Sequence, residues 1–287
     1  MRHLRLTAPF FLILLIYGGL AVGQQHLVVI GGGKRPAEAM KKFVEWSGGK
    51  HGRILVITWA TAEPEESFNA MKAELDVYGV DALHAPMPPF DPAKRDTLVS
   101  QIKTATGVFF GGGDQNRIMD VLADRELRDM LRQRYKDGVV VGGTSAGAAI
   151  MSDPMMTGDA DLKILDGEKV GIREGLGLAP NVIFDQHFLV RQRHNRLFGL
   201  IMKYPKQLGV GIDQDNAVLI ENNRRMTVVG TTRVMVIDGT AKKGSFLVTF
   251  LRPGAIYDIR KRKLLAGPNL PDRISGSRPS VLETARR

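Results

Sequence analysis

A serine set among small residues is the first candidate for chemistry in this chain. Ser145 is the centre of Gly143-Thr144-Ser145-Ala146-Gly147, which follows the apolar run 139–141 and precedes a helical pattern. In a G-x-S-x-G turn between a strand and a helix, the hydroxyl is exposed for attack on a carbonyl, and the Ala146 amide can stabilise the resulting oxyanion. The same pattern occurs at tight turns without a catalytic role, so the interpretation depends on a base.

One of the six histidines lies just after a strand pattern, in a cluster of polar residues. His187 ends the segment Val-Ile-Phe-Asp-Gln-His at 182–187, where a strand delivers its last side chains to the carboxyl edge of a sheet. A single histidine is more often structural than catalytic. The density of polar side chains around His187 nevertheless favours it as the general base for Ser145.

Composition limits the available chemistry. The chain has 287 residues, of which 44% are hydrophobic and none is cysteine. This length and composition predict one core-stabilised domain without disulfides, and they exclude a cysteine nucleophile and cysteine-bound metals. The histidines lack the spacing of a zinc site, so we expect no metal and no other cofactor.

The chain is basic, with a formal net charge of +10. Arg and Lys cluster at 260–263 and 286–287 without interleaved aromatic residues, which is a weak signal for nucleic acid. We therefore expect no nucleic-acid partner. Most of the charge is assigned to solubility, and the alternative is that it steers carboxylate-rich partners to the protein.

The N-terminal segment is typical of a secretory signal peptide. Arg2 and Arg5 are followed by an apolar block at 8–17 and by small residues before Gln24. We predict cleavage after Gly23, which gives a secreted or periplasmic protein without stable membrane contact. The alternative is an uncleaved anchor, for which the apolar stretch 4–22 is borderline in length.

Strand, turn and helix patterns alternate four times in the first half of the chain. Apolar runs at 26–30, 53–58, 107–110 and 139–141 each lead into a turn, and the segments that follow, such as 116–135, have helical spacing. The alternation predicts a mostly parallel sheet covered by helices on both faces. Ligands of such sheets bind beyond the carboxyl ends of the strands.

Three of these turns are rich in glycine. The Gly-Gly-Gly run at 31–33 is followed by Pro36, where a dinucleotide-binding motif requires glycine or alanine, and no P-loop pattern follows. We therefore do not expect nucleotide binding. The second Gly-Gly-Gly run, at 111–113, leaves backbone amides free to face a ligand.

The second half of the chain has closely spaced strand patterns and one predicted helix, at 191–203. These strands predict an antiparallel extension of the same sheet; they lie at 182–184, 208–212, 217–221, 226–229, 233–237, 246–251 and 257–265. We divide the chain into a signal peptide at 1–23, a catalytic domain at 24–266 and a loose tail at 267–287 that proline and glycine interrupt.

Taken together, the motifs resemble the serine peptidase family of cyanophycinase and peptidase E, the aspartyl dipeptidase. The resemblance covers nearly all of the chain after the signal segment. Four groups of residues carry it: Gly31-Gly32-Gly33, Phe110-Gly111-Gly112-Gly113-Asp114-Gln115, Gly143-Thr144-Ser145-Ala146-Gly147-Ala148, and Asp185-Gln186-His187-Phe188 with Arg191, Arg193 and Arg196. The last group is specific and resembles cyanophycinase more than the dipeptidase branch.

The resemblance implies a fold, a set of site residues and a reaction. The fold is a three-layer α/β sandwich like that of class I glutamine amidotransferases, with C-terminal antiparallel strands, and similar proteins are often homodimers. Ser145 would be the nucleophile and His187 the base, with an oxyanion site formed by the amides of Gly112, Gly113 and Ala146. The implied pocket residues are Gln115, Asp185, Gln186, Arg191, Arg193 and Arg196.

The implied substrate is a peptide built on aspartate. Guanidinium groups bind carboxylates through paired hydrogen bonds, and carboxylate or amide groups can receive an arginine side chain. Cyanophycin is an aspartate backbone with an arginine on each β-carboxyl, and similar enzymes are exopeptidases that release β-Asp-Arg dipeptides from it.

One residue departs from the family's pattern. The third triad member is an acid in a Gly-Ile-Asp-Glu-like segment, and Gln214 occupies that position here. A glutamine carbonyl can hold the imidazole tautomer but carries no charge, and an Asp-to-Asn change in a serine protease lowers turnover about 10⁴-fold. Asp213 and Asp215 flank Gln214, but strand alternation turns them to the opposite face unless a bulge intervenes. Two alternatives stay open: an aspartyl or isoaspartyl dipeptidase, and a catalytically weakened binder of acidic peptides.

Overall fold

The computed structural model describes residues 23–242 and 244–268. The predicted signal peptide up to residue 22 and the predicted tail beyond Pro268 lie outside the described residues. Within the described part, no helix is both long and apolar enough to cross a membrane.

Five parallel strands form one half of the main sheet. They are β1 (His26–Ile30), β2 (Arg53–Ile57), β3 (Asp81–His84), β4 (Gly107–Phe110) and β5 (Val140–Thr144), and they lie side by side in the order β1-β5-β4-β2-β3. Most of their residues are buried because helices cover both faces. The sequence pattern predicts four of them and misses β3, a half-exposed edge strand.

Five helices connect and cover these strands: α1 (Ala37–Trp46), α2 (Pro64–Asp76), α3 (Pro92–Thr104), α4 (Gln115–Val121) and α5 (Arg125–Lys136). The prediction of one helix at 116–135 is wrong, because this segment forms two helices. The Asp124 side chain accepts hydrogen bonds from the amides of Glu126 and Leu127 and so caps a new helix. The sequence pattern also misses α3, which buries only Leu98 and Ile102.

The remaining elements follow in chain order. They are α6 (Ala146–Ala149), β6 (Met155–Ala160), β7 (Val170–Arg173), β8 (Val182–Gln186), α7 (His194–Lys203), β9 (Leu208–Ile212), β10 (Asn216–Glu221), β11 (Arg225–Gly230), β12 (Val234–Lys242), β13 (Ser245–Leu251), β14 (Ile256–Asp258) and β15 (Lys263–Ala266). The architecture is the predicted α/β sandwich with added antiparallel strands.

The later strands divide between three sheets, the smallest of which is the antiparallel pair of β6 and β7. β10, β11, β14 and β15 continue the main sheet beyond β1 in antiparallel fashion, as predicted. β8, β9, β12 and β13 form a separate four-stranded sheet, which differs from the single continuous sheet that we expect from the sequence. This second sheet has its own apolar cluster with α7, which includes Ile183, Leu197, Ile201 and Ile237.

The helix predicted at 191–203 is shorter than expected, since α7 begins at His194. Residues 187–193 form turns instead, with positive φ angles at His187 and Gln192 that a helix does not allow. Arg191 therefore lies in a turn, which corrects our expectation that it occupies the first turn of a helix.

The main sheet and the four-stranded sheet meet at one edge, just beyond β1. The backbone amide of His187, after β8, donates to the Gly31 carbonyl at 2.8 Å, and the Ser145 amide, after β5, donates to the Ile30 carbonyl at 3.0 Å. A Cβ atom placed on Gly31 would lie 2.5 Å from the carbonyl oxygen of Ile212, so only glycine lets β9 approach this closely. This edge carries the candidate site.

Candidate active site

Ser145 lies on a strained turn between β5 and α6. Its φ and ψ angles of 52° and −111° are rarely populated by residues with side chains. Small neighbours make the turn possible: a Cβ on Gly143 would lie 2.5 Å from the Gly147 oxygen, and one on Gly147 would lie 2.7 Å from the Phe110 carbonyl carbon. The glycines flanking Ser145 in the sequence motif are therefore required by packing.

The His187 imidazole lies directly against the serine. Its Nε2 atom is 2.9 Å from the Ser145 hydroxyl oxygen, and the residue is only 8% exposed. Burial is the largest effect on its pKa, and the charges of Arg191 and Arg193 add to it, so that the pKa falls to about 4 although Asp213 opposes the shift. The imidazole is therefore neutral at neutral pH, which is the form that accepts a proton.

The first glycine run makes room for this imidazole. Gly32 has a φ of 115°, and a Cβ placed on it would lie 2.5 Å from Nε2 of His187. The imidazole of His187 therefore packs directly against the backbone of Gly32. The sequence alone argues against a nucleotide site at residues 31–33 but does not show this use of the glycines, because the contact joins residues that are far apart in the chain.

We expect Gly32→Ala to lower the rate of acyl transfer at Ser145 about 100-fold, since displacing a catalytic group by roughly 1 Å has an effect of that size. Rates measured on cyanophycin, the substrate that the resemblance implies, test this. Gly79→Ala is the matched control, because Gly79 also has a positive φ, 66°, but nothing lies within 4 Å of its added Cβ. An unchanged rate in Gly32→Ala, or an equal loss in Gly79→Ala, would contradict the conclusion that Gly32 makes room for the imidazole.

Gln214 contacts the far side of the imidazole. Its Nε2 atom is 2.8 Å from Nδ1 of His187. With the amide nitrogen donating, the ring proton resides on Nε2 and faces Ser145, so the ring cannot accept the serine proton. With the amide rotated by half a turn, Oε1 accepts from Nδ1–H and leaves Nε2 free as a base. The orientation of this amide therefore controls the competence of the pair.

The acids beside Gln214 are engaged elsewhere. Asp213 accepts a hydrogen bond from the Val190 amide at 3.2 Å, and Asp215 accepts one from the Lys34 amide at 2.6 Å. Neither carboxylate is hydrogen-bonded to the imidazole. The main-chain carbonyl of Gln214 in turn accepts a hydrogen bond from the Asn216 side chain at 2.7 Å, a support that the sequence pattern does not predict.

Free backbone amides surround the serine. Within the described part of the chain, the amides of Gly112, Gly113 and Ala146 donate no hydrogen bond to protein acceptors. Gly112 is close to the nucleophile, since a Cβ on it would lie 3.4 Å from Cβ of Ser145. Amides in such positions can donate to an oxyanion that forms on a bound carbonyl.

The polar residues predicted for the substrate pocket divide into buried and accessible groups. Asp185 is fully buried and forms a bidentate ion pair with Arg196, which is also buried. Gln115 is buried too, and its side chain donates to the Met156 carbonyl at 3.0 Å. These three side chains are occupied by the protein itself, so the geometry favours a supporting role for them.

Two arginines are left nearest to the imidazole. Arg193 is partly buried and donates to the main-chain and side-chain oxygens of Gln186, and burial lowers its pKa to about 10. Arg191 is exposed, and its side chain forms no hydrogen bond within residues 23–242 and 244–268. Both charges are close enough to lower the pKa of His187. The edge therefore presents positive charge beside a serine–histidine pair.

Within the described residues, no three histidine, aspartate or glutamate side chains are grouped so that they could hold a metal ion. The groups that the structure brings together around a bound carbonyl are the serine, the imidazole and the free amides. This combination suits acyl transfer, in which a hydroxyl attacks and an oxyanion must be stabilised.

Comparison with known proteins gives relatives over most of the chain. It is 32% identical over 232 residues to a cyanophycinase of Geminocystis herdmanii (76% of this chain, 82% of the relative). It is also 32% identical over 255 residues to a cyanophycinase of Synechococcus elongatus (85% and 79%).

Two solved structures share the fold. One is a peptidase from an acI-B1 actinobacterium, with a TM-score of 0.63 and 22% identity over 83% of this chain and 97% of that chain. The other is a peptidase E protein from Listeria monocytogenes EGD-e, with a TM-score of 0.51 and 14% identity over 80% of this chain and 100% of that chain.

A family model for peptidase family S51 matches residues 27–228, the segment from β1 to β11 that includes Ser145, His187 and Gln214. The match spans well over half of the chain and agrees with the cyanophycinase relatives. The chain therefore belongs to peptidase family S51 and is a serine-type peptidase.

Proposed function

We propose that this peptidase is an exopeptidase that cleaves a peptide with an aspartate backbone, such as cyanophycin, and releases β-Asp-Arg dipeptides. The observation that carries the proposal is the 2.9 Å contact between Ser145 and His187 beside the charges of Arg191 and Arg193. The cationic edge suits the α-carboxylates of the arginines in cyanophycin, which stay free because each arginine is attached to the aspartate backbone through its α-amine. Relatives that are named cyanophycinases support the choice of substrate.

The reaction proceeds by acyl transfer. Nε2 of His187 accepts the Ser145 proton while the hydroxyl oxygen bonds to the scissile carbonyl carbon, and the amides of Gly112, Gly113 and Ala146 stabilise the oxyanion. The imidazolium then donates its proton to the leaving amine, and the C–N bond breaks. Water, deprotonated by the same imidazole, hydrolyses the acyl-enzyme and restores Ser145.

Arg191 and Arg193 would hold the carboxylates of the substrate. Arg191 is the more available, because its side chain is exposed and has no hydrogen-bond partner among the described residues. Arg193 is held against Gln186 and would bind with less movement. The shape of the pocket would be fixed by buried side chains that bind other protein groups, namely Gln115, Gln186 and the Asp185–Arg196 pair.

The proposal extends to location and assembly. The predicted signal peptide at 1–23 would direct the chain out of the cytoplasm, so that the catalytic domain at 24–266 acts as a secreted or periplasmic enzyme without stable membrane contact. We also propose a homodimer. Cell fractionation and light scattering of the mature protein test these two points.

The test of the substrate compares three candidates. Purified protein is incubated with cyanophycin, with β-Asp-X dipeptides and with α-Asp-X dipeptides, and the products are measured by mass spectrometry. We expect β-Asp-Arg from cyanophycin at the highest rate. Cleavage of only the short peptides would assign a dipeptidase instead. Binding of cyanophycin without cleavage, and without labelling by a fluorophosphonate probe, would support the weakened binder that the Gln214 amide nitrogen beside Nδ1 favours.

A further inference from the structure

Apart from the candidate site, a cavity of about 620 Å³ opens beside the turn that carries His187. Its lining includes Phe188 and Leu189 from this turn, the loop 231–233 after β11, and Arg252 after β13. The register places these parts at the edge of the candidate site. Gly230, which precedes the loop 231–233, pairs with Asn216, two residues after Gln214. Met235 of β12 also lines the cavity, and it pairs with Gly211 near the end of β9.

The cavity contains positive charge without a matching acid. Arg233 and Arg252 line it, no aspartate or glutamate does, and neither arginine forms an ion pair within the described part of the chain. The Nε atom of Arg252 is buried, and no described residue accepts a hydrogen bond from it. Arg252 as a whole is only half-buried, so a carboxylate in the cavity can pair with a guanidinium group that has no ion-pair partner among the described residues.

The rest of the lining is apolar. Phe188, Leu189, Met235 and Phe250 form much of the wall, and Leu189 and Phe250 are 39% and 55% exposed. A simple inorganic anion would leave this surface uncovered. The combination fits a ligand that carries a carboxylate on an aliphatic or peptide frame.

We propose that this cavity is a distal subsite, in which Arg233 and Arg252 bind a second free carboxylate of the peptide whose scissile bond lies at Ser145. The inference rests on the proposed function and specifies its substrate as an extended chain. It accounts for an open, cationic cavity that shares a wall with the catalytic turn.

The subsite also adjoins the supports of the catalytic pair. Phe188 directly follows His187 and packs on Gly211 so closely that a side chain there would overlap its ring. The Thr232 hydroxyl accepts a hydrogen bond from the Asn216 side chain at 2.7 Å. The same side chain donates to the main-chain carbonyl of Gln214. A peptide bound in the cavity therefore contacts the segments that position the imidazole and the glutamine.

The test measures binding apart from cleavage. Fluorescein-labelled poly-aspartate is titrated into Ser145→Ala protein by fluorescence anisotropy, and the titration is repeated with Arg233→Gln/Arg252→Gln added. We expect the double variant to bind at least about tenfold more weakly, because hydrogen bonds to charged groups contribute about 1.5–3 kcal/mol.

The matched control is Arg53→Gln/Arg225→Gln, which removes the same charge from the opposite edge, where β2 and β11 begin. Arg233→Glu, at an exposed position, gives a second variant that does not disturb the interior. Equal affinity of the subsite variants and the parent would overturn the subsite, as would the absence of poly-aspartate binding by the parent. Failure of cyanophycin cleavage alone would overturn the proposed function and leave this result standing.

Discussion

Ser145→Ala protein is expected to release dipeptide from cyanophycin at less than about a thousandth of the parent rate. The substitution removes the oxygen that lies 2.9 Å from Nε2 of His187 and leaves no nucleophile on the turn. In a well-studied serine protease, loss of the nucleophile lowers turnover about 10⁶-fold, and the remaining rate comes from the oxyanion site and substrate binding. The release of dipeptide is followed by mass spectrometry.

The control for this prediction is Ser100→Ala, which removes an exposed hydroxyl from α3. It should retain the parent rate and the parent labelling by a fluorophosphonate probe, whereas Ser145→Ala should lose both. Urea denaturation checks that each variant is folded. Alanine at position 145 keeps the strained backbone of the parent, so a large change in stability is not expected. Full activity in folded Ser145→Ala protein would eliminate the acyl-enzyme mechanism.

The sequence predicts the serine–histidine pair well because both residues end buried strands. Apolar runs identify β5 and β8, and the structure brings their carboxyl ends together where the main sheet meets the four-stranded sheet. Ser145 and His187 follow these strands and lie within hydrogen-bond distance in the structure. Their catalytic roles stay predictions until the variants are measured.

What the sequence does not predict depends on contacts between distant segments. The fit of His187 against Gly32 joins the residues that follow β8 and β1, which belong to different sheets, and the sequence pattern does not predict the second sheet. In the same way, Arg196 has the spacing of a pocket residue but is buried against Asp185. No local pattern distinguishes an arginine that binds substrate from one that neutralises a buried acid.

Gln214→Glu is expected to raise kcat/KM for cyanophycin by at least about tenfold, since loss of the triad charge lowers turnover by up to about 10⁴ in a related mechanism. A carboxylate has only acceptors, so it requires the ring proton on Nδ1 and leaves Nε2 free for the serine proton. It also stabilises the imidazolium as it forms. The glutamine in the parent does neither when its nitrogen faces Nδ1.

The pH profile separates this effect from a general change in binding. Since the pKa of His187 is lowered to about 4, kcat/KM of the parent should stay high as pH falls and decline only near pH 4. A carboxylate at position 214 favours the protonated ring and raises its pKa, so the decline should move to higher pH while the plateau rises. Gln24→Glu, which adds the same charge at an exposed position before β1, should move neither. If Gln214→Glu left both plateau and acid limb unchanged, the imidazole would not be the base whose tautomer residue 214 controls, since a charge placed 2.8 Å from Nδ1 must perturb a ring that titrates in the reaction.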